Sequence, residues 1–289
     1  MFLVRYLALG NLTLDERGEW VGLGGTVAYG AWAALHFTES VLVVSKVGRD
    51  FNISLLTPLQ NLGASFLIEV DGEETARFRR EEEGLVMVSP GPERYEGLPV
   101  HPENFDVVHL GPVSGELTEE TVKWALKSNF VAIDVQGVLR ARTRGPIKLE
   151  NGEWLLNNRL DLIHLNLEEA SFLTGSEDPR EAINYLKKSF RGVLLTLGDK
   201  GSLVYFEDKL WRVPPLTIRL VDPTGAGDVY TASLAVLLSS GEGIRDSLSK
   251  SVALTSVILE HIGVPTELVP QEEIESRAER IKSKIERIY

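Results

Sequence analysis

The chain predicts an α/β fold with a mainly parallel central sheet covered by helices on both faces. Short β-rich apolar runs at residues 41–44, 107–110, 131–133, 162–165 and 193–196 alternate with segments of helical period, the pattern of successive βαβ units. With 289 residues, 43% of them hydrophobic and 25% charged, there is ample material for a sizeable core.

The elements follow in chain order. Residues 1–10, MFLVRYLALG, are apolar but short, lack a small-residue cleavage site and pass directly into polar sequence, so they read as a first strand and not as a signal peptide. Between residues 64 and 88 the pattern changes to alternation: Phe66, Ile68 and Val70, then an Asp71-Gly72 turn, then alternation again over 75–80. This predicts a hairpin with one wet face, carrying seven acids against three arginines. It reads either as a solvated surface hairpin or as a small lid over a cleft. Apolar residues on its other face, such as Phe66 and Ile68, would either close over substrate or pack on a second copy as a homodimer. Residues 90–102, with four prolines and two glycines, return the chain to the main sheet. From Gly225 onward three helices are expected, over 229–239, 244–261 and 271–288, the last an ion-paired surface element with five acids and five bases.

The inventory excludes several chemistries. There is no cysteine, so thiolate zinc sites, iron–sulfur ligation and cysteine nucleophiles are absent. A formal net charge of −12 argues against nucleic acid as the partner and leaves a small molecule. No uncharged apolar run approaches the roughly 18 residues of a membrane helix, so no membrane partner and a cytoplasmic location are expected. His36, His101, His109, His164 and His261 show no metal-ligand spacing and read as structural, His109 and His164 at strand ends.

The sharpest feature is Val221-Asp222-Pro223-Thr224-Gly225-Ala226-Gly227-Asp228, followed by the apolar helical run that starts at Val229. A small-residue loop feeding a helix exposes backbone N–H groups without internal partners, and their dipoles favour an anion there. Gly225 and Gly227 would let a phosphate approach the backbone. Asp228, in the first turn, could accept a proton from a substrate hydroxyl while staying mostly ionised. Read as a lone GAGD, the same residues make an N-cap aspartate after a glycine turn.

The full string resembles the C-terminal signature of the PfkB, or ribokinase-like, family of sugar and nucleoside kinases. Four further stretches are similar to that family's motifs in the same order: Gly24-Gly25-Thr26-Val27-Ala28-Tyr29-Gly30, Val47-Gly48-Arg49-Asp50-Phe51, Asn166-Leu167-Glu168-Glu169 and Thr196-Leu197-Gly198-Asp199-Lys200-Gly201. The resemblance covers nearly the whole chain. It implies a single ribokinase-like domain, 1–289, a three-layer sandwich with a small β lid from about 11–23 and 64–88. It implies transfer of the γ-phosphoryl group of ATP to a hydroxyl, with Asp228 as base and Gly225, Ala226 and Gly227 as the anion hole. Thr196, Gly198, Gly201 and Thr224 would face the nucleotide. Glu169 would help to hold Mg²⁺ through water, although the isolated tetrapeptide equally reads as an acid in a first helical turn. Whether a monovalent cation binds near Asp222 stays open at this point.

For the acceptor, the family places an aspartate about five residues past the first strand on the substrate hydroxyls. Here that residue is Asp15, with Asn11 in support and Gly24 and Gly25 giving close backbone approach; an Asx-turn closing a loop is the competing reading. Tyr29 departs from ribokinase, which carries a sugar-contacting asparagine there. The stretches 43–51, 133–140 and 262–265 look like the subgroup containing plant inositol 3-kinases and related prokaryotic polyol kinases. Gln136 offers a donor and an acceptor to vicinal hydroxyls and Arg140 a fixed fork to a hydroxyl or phosphate; a turn and a surface charge are the plainer alternatives. The expected activity is therefore phosphorylation of a sugar or cyclic polyol resembling myo-inositol. The alternatives are a nucleoside kinase, for which Tyr29 or Phe78 would stack a base, and a non-catalytic ligand-binding relative.

Overall fold

The computed structural model describes residues 4–95, 97–150 and 152–288; the first three residues of the expected first strand lie outside them. Fifteen strands occur among the described residues. In chain order they are β1 Arg5–Leu9, β2 Thr13–Arg17, β3 Trp20–Gly24, β4 Ser40–Val47, β5 Ser65–Val70, β6 Ala76–Glu81, β7 Gly84–Ser89 and β8 Val107–Leu110, then β9 Val131–Asp134, β10 Gly145–Pro146, β11 Leu162–Asn166, β12 Gly192–Thr196, β13 Ser202–Phe206, β14 Lys209–Val213 and β15 Glu286–Arg287. The helices are α1 Thr26–Ala34, α2 Thr57–Asn61, α3 Glu119–Ala125, α4 Gln136–Leu139, α5 Leu167–Thr174, α6 Pro179–Leu186, α7 Ala226–Ser239, α8 Ile244–Ile258 and α9 Gln271–Lys282.

Ten strands form one sheet in the order β15-β14-β13-β12-β11-β9-β8-β1-β4-β5. The pairs from β12 through β5 are all parallel. The reason is visible in β1, where Tyr6 and Ala8 enter one apolar cluster with residues of α1, α7 and α8, while Leu7 and Leu9 enter another with α3, α5 and α6. Side chains alternate across a strand, so a strand apolar at every position needs cover on both faces. The chain grows one way from β1, through β4 to β5, and then the other, through β8 to β12. The crevice at that reversal, beyond the carboxyl ends of the strands, is where open α/β sheets bind ligands.

Five strands form a second, smaller sheet in the order β10-β7-β6-β2-β3. This corrects the expected lid. Residues 65–70 pair in parallel with β4 at the edge of the large sheet, and the hairpin is β6 with β7, turning at Glu82-Glu83 and not at Asp71-Gly72. Phe66 and Ile68 pack on the core, leaving Leu67 and Val70 exposed, so the apolar face that argued for a second copy is not a free one. Alternation in this segment reflects an edge strand with one covered face, which sequence period cannot distinguish from a hairpin arm. The small sheet is held by charge: Glu16 on β2 pairs with Arg77 and Arg79 on the neighbouring β6.

One more expectation changes. The last helix stops at Lys282, and Glu286–Arg287 pairs with β14. The antiparallel hairpin β13–β14, turning at Glu207 and Asp208 with both residues at positive φ, extends the large sheet beyond β12.

Gly137, in the one-turn helix after β9, lies so close to the preceding loop that a β-carbon would sit 2.1 Å from the Pro112 carbonyl carbon. Gly137→Ala should therefore push α4 outward and cost about 1–3 kcal/mol, read as a lower urea midpoint by circular dichroism.

Candidate active site

One cavity of about 840 Å³ collects most of the residues singled out in the sequence. Asp15, Gly25, Gln136, Arg140, Glu169, Thr196, Gly198, Gly201, Thr224, Gly225, Ala226, Gly227 and Asp228 all line it. Asn11 and Gly24 do not. The Asn11 amide is taken up by Pro92 O at 3.0 Å and the Tyr95 hydroxyl at 2.8 Å, so it ties the 90–102 loop to the end of β1. A β-carbon on Gly24 would lie 2.2 Å from Asp15 Oδ2, so this glycine makes room for the carboxylate and not for an approaching ligand.

The first turn of α7 sets the centre. Gly225 caps the helix in the left-handed conformation, φ 81°, and Asp228 follows at the third helical position. Both loop glycines are dictated by rings beneath them: a β-carbon on Gly225 would fall 2.3 Å from the Tyr29 ring, and one on Gly227 2.2 Å from His164 Cε1. Opposite Asp228, Gln136 Nε2 donates to its Oδ1 at 3.2 Å and to Thr26 Oγ1 at 2.8 Å. Arg140 in turn donates to Gln136 Oε1 at 2.7 Å and stacks its guanidinium 5.3 Å from the Phe78 ring on the lid. Gln136 is thus the first residue of a helical turn and not simply a strand end, and Arg140 is a half-buried group facing four acids, not a surface charge.

Burial, reinforced by the charge of Asp134, pushes the Asp228 carboxyl up to about 7, so at neutral pH it is part protonated, where the sequence alone led us to expect it mostly ionised. Burial likewise raises Asp15 to about 6, against the Thr13 hydroxyl that donates to it at 2.7 Å. Glu169 is raised by burial too. It also closes a capping box with Asn166: each backbone N–H meets the other's side chain at 2.9 Å.

Three contributors were not found in the sequence. Arg17 lies two residues from Asp15 on β2, hence on the same face. It reaches across from the lid to pair with the buried carboxylate of Asp222 and to donate to Thr224 Oγ1 at 2.5 Å. The positive charge beside Asp222 in the structure is this guanidinium. Asp134 ends β9 and binds His109 Nε2 and His164 Nδ1, each at 2.5 Å, with the Thr231 hydroxyl at 3.0 Å. Burial opposes its charge, yet the hydrogen bonds from the two histidines hold it well below the ordinary carboxylate range. His164 itself lines the cavity. The only advance signal was Asp134 ending the apolar run 131–133 and His164 interrupting the run 162–165.

The lining of the same cavity also includes the apolar residues Pro214, Leu216, Ile218, Tyr230, Val252 and Leu259. A buried carboxylate beside a helix N-terminus, in a cavity with both polar and apolar walls, is an arrangement suited to handing a phosphoryl group to a hydroxyl. The family model for pfkB family carbohydrate kinases matches residues 20–271. The chain belongs to this family. It is a phosphotransferase with an alcohol group as acceptor, of the sugar, polyol or nucleoside kinase type.

Among relatives, it is 27% identical to inositol 3-kinase of Arabidopsis thaliana, over 96% of this chain and 80% of that one. To cytidine kinase of Thermococcus kodakarensis it is 26% identical, over 83% and 88%. Of solved structures, a pyrophosphate-dependent kinase in the ribokinase family, complexed with a pyrophosphate analogue and myo-inositol, superposes with a TM-score of 0.79 at 22% identity, over 94% of this chain and 99% of that one. Arabidopsis thaliana ribokinase complexed with ribose and ATP gives 0.74 at 20% identity, over 96% and 99%. The fold is ribokinase-like. Among the described residues no helix is long and apolar enough to cross a membrane.

Two stability outcomes follow. A carboxyl raised above its unfolded value costs stability increasingly as pH rises from about 4 to about 7 and a constant amount above. Asp228→Asn should therefore melt above the native chain at pH 8, by an amount on the order of a few kcal/mol, with the gap closing toward pH 4 in scanning calorimetry. The Tyr29 hydroxyl is buried with no hydrogen-bond partner among the described residues. Removing it in Tyr29→Phe should raise stability by roughly 1 kcal/mol, seen as a higher urea midpoint.

Proposed function

We propose that the protein transfers the γ-phosphoryl group of ATP to a hydroxyl of a cyclic polyol of the myo-inositol type. The observation that carries this reading is Asp228 at the first turn of α7, hydrogen-bonded to Gln136 in a cavity whose walls include Asp15, Phe78 and Arg140 as well as Leu216, Ile218 and Val252.

The acceptor lies under the lid, where Asp15, Gln136 and Arg140 offer an acceptor, an amide and a fork of donors to neighbouring hydroxyls. Asp228 takes the proton of the reacting hydroxyl as its oxygen attacks the terminal phosphorus. The unpartnered N–H groups at the start of α7 meet the charge that develops on the transferring group. Against the apolar lining residues a purine base would bury its faces, whereas an inorganic donor would leave Leu216, Ile218 and Val252 wet; this favours ATP over pyrophosphate. The polyol reading over the nucleoside one draws on Phe78 and Tyr29: the first has a guanidinium over its face and the second lies beneath Gly225, so neither ring is free to stack a base on the acceptor side.

Among the described residues no cluster of three or more histidine or acidic side chains is arranged to hold a metal. That fits Mg²⁺, which keeps several waters and is held by one or two carboxylates plus the donor's own phosphates. Glu169, buried at the cavity wall with only one of its oxygens in the capping box, is the residue to contribute here. When bound, the ion neutralises charge on the donor phosphates.

Turnover of ATP with myo-inositol, ribose, fructose, adenosine and cytidine is the test, with pyrophosphate as a second donor. Asp228-dependent turnover is expected on myo-inositol. Turnover on nucleosides alone would replace the acceptor, and none on any acceptor would refute the reading. Asp228→Asn should lower kcat by about 10²–10⁴-fold. Because the base works deprotonated, kcat/KM should rise as pH increases through about 7, the value to which burial lifts Asp228.

A further inference from the structure

The walls of the cavity carry five acids, Asp15, Glu16, Glu169, Asp199 and Asp228, against three arginines and no lysine. A polyphosphate entering this site meets a negative surround, and Arg17 is already engaged by Asp222. The remaining candidate for a cation on the sheet side of the helix N-terminus is a histidine.

We propose that His164 is a donor-phosphate-binding residue, a buried imidazolium locked by Asp134 that faces the phosphate from beneath the first turn of α7. This rests on reading the loop 222–228 as the donor site of a kinase. The hydrogen-bond pattern suits a charged ring at His164. Asp134 is an acceptor only, so His109 Nε2 and His164 Nδ1 both donate to it. The Tyr6 hydroxyl, 2.6 Å from His109 Nδ1, can donate there, so a single proton on Nε2 satisfies His109. His164 differs. Its Nε2 lies at the cavity wall, 3.3 Å from Thr196 Oγ1, and that hydroxyl can give its proton to the Leu165 carbonyl, also at 3.3 Å. With the threonine proton there, its oxygen accepts from a His164 that carries protons on both nitrogens.

The charges facing the ring are Asp134 from β9, Glu169 from α5 and Asp228 from α7. Burial opposes the imidazolium, but the hydrogen bond and charge of Asp134 outweigh it and raise His164 above the ordinary histidine value. With Nδ1 held, only Nε2–H can turn to a ligand. The ring also lies against Gly227, so the same phosphate can meet the backbone N–H groups above and the imidazolium below.

The test is calorimetric binding of ADP and of inorganic tripolyphosphate to the full chain, native and with His164→Asn or His164→Gln. Asn keeps a donor near the Asp134 carboxylate and Gln keeps one near the cavity, while both remove the charge. Each variant should bind both probes about tenfold more weakly, the size of one charge-assisted hydrogen bond. Folded variants that bind as the native chain does would overturn the proposal. If the variants do not fold, the native chain labelled with ¹⁵N decides: the His164 Nε2 signal should shift on adding tripolyphosphate, and a stationary signal overturns the assignment. Binding is read without turnover. A native chain that binds the probes but phosphorylates nothing therefore defeats only the kinase reading, whereas one that binds neither probe defeats both.

Discussion

The site depends on one close contact, the first turn of α7 seated on two aromatic rings. Gly225 and Gly227 have no β-carbons, and without that absence the helix could not approach Tyr29 and His164. Because it does, Asp228 comes within hydrogen-bond reach of Gln136 from the far side of the crevice, and the Thr231 hydroxyl reaches Asp134 behind. Moving the helix outward by the thickness of a methyl group would break both bonds. The glycine-rich string is therefore a packing requirement first, and the exposed N–H groups of the helix start are brought into the crevice as a result.

Charge is the second organising constraint. Asp15, Glu169 and Asp228 are all raised by burial, whereas Asp134, equally buried, is held low because two imidazoles donate to it. The contrast separates a carboxylate that organises structure from Asp15 and Asp228, which can exchange a proton near neutral pH. The acidic net charge of the chain does not by itself exclude an anionic ligand, because an anion at the start of α7 would be met by backbone dipoles and would need no broad basic surface.

The lid takes part in the same arrangement. Its strand β2 presents Asp15 and Arg17 to the cavity, while Glu16 between them ties β2 to β6. Arg17 therefore links the small sheet at the cavity to the loop that starts α7, which couples the position of the lid to that of Asp222 and Thr224.

By itself the sequence determined the parallel strands, the crevice at their carboxyl ends and the loop 222–228, because apolar run length and local backbone chemistry act within a few residues. The place of Asp228 in a first helical turn was legible from the glycine-rich string before it. Period-two alternation could not determine which sheet receives residues 65–70, since an edge strand and a hairpin arm share it. Nor could sequence determine the partners of His164, Asp134, His109 and Arg17. Asp134 and His164 are 30 residues apart, and Arg17 and Thr224 are 207 apart. Only the packing of the sheet, helix and lid brings such pairs together, and burial, which sets their charge, exists only once they are packed.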